Sequence, residues 1–219
     1  MVFQRISGLS AIAAGATYVI GFWVYFSILG PAQYGSPAVP ATQHVQFLVD
    51  NQDLMSAWNL VIYVLNAVLM VFIVVGLHQR IGKRDEALAQ TASAFGIIWA
   101  GLILAAGMVE TISLTHIVRL ANEDIDAAAA LWRSLVVVGA ALGGGNEITG
   151  GMWIMLLSIA GFRTRRIPIA VNAIGFGVGA AGVASTIPAL SDATMIFGLG
   201  FIVWFFAIGL TLLFSTRTV

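Results

Sequence analysis

The sequence predicts an all-α, polytopic integral membrane protein: one domain over residues 1–219, folded as a bundle of six transmembrane helices with cytoplasmic N- and C-termini. Three observations lead there. Of 219 residues, 59% are hydrophobic and only 9% charged, with a mean hydropathy of +0.96. Soluble domains carry about 25% charged residues, so this much apolar surface needs a bilayer as its solvent. Six apolar runs reach the roughly 20 residues that cross about 30 Å of hydrocarbon. The basic residues gather on alternate connections, as the positive-inside rule expects.

The first run, 6–29, opens like a signal peptide ("MVFQRISGLSAIAAGA"). Its apolar stretch continues to Leu29, beyond the roughly 7–15 residues of a signal h-region, so a retained span is expected. Pro and Gly turns follow, and from about Ala41 the run A-T-Q-H-V-Q-F-L-V reads as a short amphipathic helix at the interface. The second span, 54–77, leads into the basic link "HQRIGKRDEAL" and the third span, 91–118. Residues 119–133 ("RLANEDIDAAAALWR") suggest another short outer helix, with Asn122 as N-cap before acids in its first turn. The fourth span is expected at 134–160. After "FRTRRIP", Pro168 suits the first turn of the fifth span, 168–189. A tight link at Ser191 and Asp192 precedes the sixth, 193–214.

With a cytoplasmic N-terminus, the inner segments hold Arg5, Arg80, Lys83, Arg84, Arg163, Arg165, Arg166 and Arg217, against Arg119 and Arg133 outside. Eight to two fixes the expected orientation. It also leaves two acids, Glu110 and Glu147, within the spans. An ionised carboxylate at the bilayer centre costs about 2.5–3.5 kcal/mol on insertion scales. No Lys or Arg lies at the depth of Glu147, so it must hold a proton or find neutral donors.

The stretch "GGGNEITGGMW" places Gly143, Gly144, Gly150 and Gly151 at helical neighbour positions of Glu147, a groove that admits another backbone or a ligand. Asn146 and Thr149 add hydrogen-bonding capacity. On the second span Asn59, Tyr63 and Asn66 form one polar stripe at i, i+4 and i+7, with Asn66 level with Glu147. On the third, Glu110, Ser113 and His116 form an arc climbing to the outer surface. We expect Glu147 to be the central acceptor or proton carrier, Asn66 its partner, and Glu110 with His116 an outer relay. The competing reading is that these polar groups only tie helices together, at about 0.6 kcal/mol per bond. Gly175, Gly179 and Gly182 mark a packing seam on the fifth span. The phrases "AAGATYVI", "AAGMVETI" and "AAGVASTI" hint at three related hairpins in which Tyr18, Glu110 and Ser185 correspond.

Other chemistries find little support. There is no cysteine, so disulfides, thiolate nucleophiles and Cys-ligated metals are excluded. Zero formal net charge argues against nucleic acid. His44, His78 and His116 have no spacing diagnostic of haem or metal, and no hydrolase or phosphate-loop motif occurs. We expect no cofactor, no metal and no identifiable catalytic residue. The six tryptophans read as packing and interface anchors.

The C-terminal half carries a G-G-x-W entry (Gly150 to Trp153), a basic turn followed by Pro168, and a final W-x-x-x-x-G span from Trp204 to Gly209. In these features, over about 140–219, the chain resembles the uncharacterised membrane family called domain of unknown function 4386. The resemblance implies a multi-pass protein of the bacterial inner (plasma) membrane and transfers no catalytic residue. The expected function is binding or conduction of a proton, ion or small polar ligand between the second, third and fourth spans. The alternatives are an accessory subunit, with a membrane-protein partner or as a homo-oligomer, and an intramembrane enzyme.

Overall fold

The computed structural model describes residues 2–82, 84–144 and 147–214. Helices account for the secondary structure of the described residues, with no strand among them. We number them α1 (Val2–Leu29), α2 (Ala41–Asp50), α3 (Gln52–Ile81), α4 (Glu86–Ala121), α5 (Ile125–Gly139, running on to Gly144), α6 (Ile148–Thr164), α7 (Ile169–Ala184) and α8 (Ala193–Phe214). Five of them are long and apolar enough to cross a membrane: α1, α3, α4, α5 and α8; α6 and α7 are apolar but shorter.

The fourth expected span is the main correction. A continuous helix over 134–160 is replaced by two helices, α5 ending at Gly144 and α6 starting at Ile148. Glu147 stands outside both, with φ −98° and ψ 19°. Hydropathy cannot see this break because both sides of it are apolar. The glycine run is the cause, since each Gly costs a helix up to about 1 kcal/mol relative to Ala. Glu147 therefore has no helical i−4 or i−3 glycine neighbours.

α4 is longer than expected and accounts for a second correction. It continues to Ala121, where Asn122 closes it by donating from Nδ2 to the Val118 carbonyl at 3.2 Å. The N-cap of α5 is Asp124, whose carboxylate accepts from the backbone N–H of Asp126 and Ala127 at 3.0 Å each. The expected interfacial helix is present as α2, which buries His44, Val45 and Leu48 along one face. Pro168 lies just before α7, with φ −54° and ψ 141°.

The six longest-packed helices form a closed ring. α1 packs on α3, α3 on α4, α4 on α6, α6 on α7, α7 on α8, and α8 returns to α1. The centre is aromatic: Trp99, Trp153, Trp204, Phe197, Phe201 and Phe205 are all essentially inaccessible. Trp153 and Phe201 stack with planes 7° apart. These three tryptophans are thus core residues, whereas Trp23 is 62% exposed.

Glycines set how closely the ring can close. A Cβ on Gly151 would come within 2.8 Å of the Gly179 carbonyl, and one on Gly179 within 2.7 Å of the Gly151 carbonyl, so the α6 and α7 backbones touch. Gly182 and Gly175 meet Phe197 and Trp204. The expected seam is real, and it is filled from within the chain.

At one end of the ring both described termini meet, with Gln4 Nε2 donating to the Leu212 carbonyl at 2.8 Å. The basic connections lie at this same end: Arg80 donates to the Arg166 carbonyl at 2.8 Å, and Arg163 pairs with Asp85 at 3.2 Å. At the other end α2 and α5 pack on the projecting half of α4 around a second apolar cluster that includes Val45, Leu48, Leu114 and Trp132. His44 locks this cap. The Ser36 carbonyl can only accept and the Gly35 N–H can only donate, so the ring is protonated on Nε2 and accepts on Nδ1.

Candidate functional site

Three segments of π-helix occur among the described residues: Tyr25–Leu29 ending α1, Leu60–Leu65 within α3 and Ala140–Gly144 ending α5. Such wide turns are rare and concentrate at functional sites. Two of them border one cavity, which Tyr25, Ile62 and Tyr63 line together with Glu147.

The cavity has a volume of about 420 Å³ and lies between α1, α3, α4 and the first turn of α8. Tyr25 and Met195, 44% and 39% exposed, flank its mouth, while Asn66 and Trp99, each 1% exposed, lie in its depth. Glu147 is 9% exposed. Among the described residues its carboxylate makes no hydrogen bond or ion pair. Its backbone carbonyl accepts from Gly151 N at 2.8 Å, starting α6.

The polar groups around it are left incomplete in a consistent way. Asn66 Nδ2 donates to Thr17 Oγ1 at 2.8 Å, and Thr17 Oγ1 donates to the Ala14 carbonyl at 2.8 Å. The threonine proton is thereby committed, so Thr17 must receive the amide N–H and Asn66 Oδ1 is left as a free acceptor. It has no partner among the described residues, and neither have the indole N–H groups of Trp58 and Trp99. All three residues line the same cavity, with the orphaned atoms themselves packed behind its surface. Buried polar atoms are paired in the great majority of cases, so three orphans at one site call for an explanation.

The sequence-predicted residues divide between this cavity and its surroundings. Glu147, Asn66 and Tyr63 share the cavity, although Asn66 bonds Thr17 rather than the carboxylate. Asn59, Glu110 and Ser113 line a separate void of about 10 Å³ further towards the cap, the threshold for a single water. The α3 stripe splits because the π-turn between Asn59 and Asn66 takes an extra residue and rotates the later one away. Tyr63 stays within electrostatic reach of both carboxylates.

The outer relay is not assembled as a chain. Ser113 donates into its own helix at the Val109 carbonyl, and the Glu110 carboxylate lies against Gly139 of α5. His116 is exposed, its Nδ1 3.3 Å from Arg119 NH2. Asn146 lies outside the described residues. Thr17, Tyr18, Trp58 and Trp99 are among the lining residues that had no place in the sequence-based site. The one available signal was the phrase "AAGATYVI", which holds Thr17 and Tyr18.

A family model described as Domain of unknown function (DUF4386) matches residues 6–215. The chain belongs to the DUF4386 family. The match spans both halves of this DUF4386 protein, including the α1–α3 region that builds most of the cavity wall. No curated protein and no solved structure matches the chain.

Proposed function

We propose that this DUF4386 protein is an integral membrane protein that binds a small polar or protonatable ligand, an ion or a proton in the cavity closed by Glu147. What supports this reading is a buried carboxylate, Glu147, lining one enclosed space together with Asn66, Trp58 and Trp99, three residues that each keep a buried polar atom without a partner among the described residues. A purely structural role would leave the buried polar groups satisfied, as Ser7, Ser158 and Thr164 are by donating to backbone carbonyls. The seam glycines are occupied internally, which removes the feature that suggested an accessory subunit docking through them.

The proposed topology keeps six crossings. α4, at 36 residues, spans about 54 Å, and α5 and α6 run in tandem alongside it. Together they count as one interrupted crossing, with α1, α3, α4, α7 and α8 supplying the others. Interrupted helices at ligand sites recur in membrane transport proteins because the exposed backbone ends supply polar groups where side chains are costly. The basic end, with both termini, is proposed to face the cytoplasm of a bacterium, and the α2–α5 cap to face outward.

The experiment compares wild-type and Glu147→Gln protein, purified in mild detergent, for thermal midpoint across neutral pH and against inorganic cations and small polar metabolites. The expected outcome is ligand- or pH-dependent stabilisation of wild type that is absent from a monodisperse, folded variant. If the variant misassembles, or matches wild type in every response, the carboxylate is structural.

A further inference from the structure

We infer that the ligand class is a small protonated amine, an inference that rests on the cavity reading above. Charge balance comes first. Among the described residues the cavity is lined by one carboxylate and by no Lys, Arg or His, so it is built to receive positive charge rather than a carboxylate or phosphate. Its walls are the second point. Tyr18, Phe22, Tyr25, Trp58, Tyr63 and Trp99 line it, and the faces of such rings attract organic cations, Trp most strongly.

The carboxylate refines the class. An ammonium offers Glu147 both opposite charge and N–H donors, whereas a quaternary nitrogen offers charge alone. A volume of about 420 Å³ fits a small amphipathic molecule with one ring or a short chain. The mouth between Tyr25 and Met195 lies at the first turn of α8, where an amphipathic cation collecting at the membrane surface would enter.

The test uses four probes on one scaffold: phenylethanolamine, its N-trimethylated analogue, neutral phenylethanediol and anionic mandelate. Each is titrated into the full chain in detergent, reading tryptophan fluorescence and thermal midpoint. The amine is expected to bind about tenfold more tightly than the diol, with the trimethylated form weaker than the amine and mandelate not binding. Glu147→Gln brings the amine down to the level of the diol, and Trp58→Leu, which removes an aromatic wall, weakens the amine more than the diol. Equal or tighter binding of the diol or mandelate overturns the ammonium assignment while leaving the cavity as a ligand site. A trimethylated probe as tight as the amine overturns the N–H donation to Glu147 and with it the amine assignment. If none of the four binds, the amine class and the cavity reading fall together.

Discussion

Asn66 shows how one residue can be read correctly as polar, buried and central while its partner is misassigned. It lines the cavity that Glu147 also lines, yet its donor goes to Thr17, because the threonine hydroxyl is already committed to its own helix. Replacing Thr17 by Val keeps the shape and strands the Asn66 N–H, so the thermal midpoint should fall by the equivalent of about 1–3 kcal/mol. Two glycines of the same helical pair give a sharper contrast. Gly151→Ala forces a methyl against the α7 backbone and should destabilise by roughly 1–3 kcal/mol. Gly177→Ala, where nothing lies within 4 Å of the added carbon, should be neutral or stabilise by up to about 1 kcal/mol. Denaturation of the detergent-solubilised variants in parallel checks both, and equal behaviour would mean that α6 and α7 do not touch as described.

At the level of elements, helix ends follow local chemistry where capping residues are strong. Asp124 caps α5 with two backbone hydrogen bonds, and Asp124→Ala should cost about 1 kcal/mol. Arg165 ends α6 in the left-handed region, φ 54°, while its N–H closes on the Gly161 carbonyl at 2.9 Å. Glycine is the residue this position favours, so Arg165→Gly should stabilise by roughly 1 kcal/mol. A lower midpoint would show that the side chain contributes more than its backbone costs. The α5–α6 break was legible only in part. The sequence displayed three consecutive glycines and a carboxylate, and hydropathy alone carried the helix through them.

Across the whole molecule, the cap and the ring are two apolar clusters stacked along α4. Tyr34 belongs to the cap, where its hydroxyl accepts from Trp132 Nε1 at 3.2 Å. Burial pushes its phenol up from 10.0 to about 12, only partly offset by the Trp132 hydrogen bond. Because the folded form holds the proton more tightly than the unfolded one, its contribution is complete below pH 10 and declines as pH rises towards 12. Thermal midpoints of Tyr34→Phe should therefore fall less steeply than wild type over that interval, and an identical slope would place the tyrosine in solvent.

The sequence by itself determined the solvent, the all-helical class, the last helix to the residue at 193–214, the α2 helix near Ala41, and the clustering of basic turns at one end. These follow from composition and short-range pattern, which act along the chain. It also singled out Glu147, because an acid without a cation in an apolar run is conspicuous in any register. Tertiary structure alone decided which polar groups meet. Trp58, Trp99, Thr17 and Asn66 come from α1, α3 and α4, and they converge on one space only because π-turns rotate some side chains inward and a closed ring sets the helix levels. Such rotations depend on how neighbouring helices pack, which no periodicity within a single helix encodes.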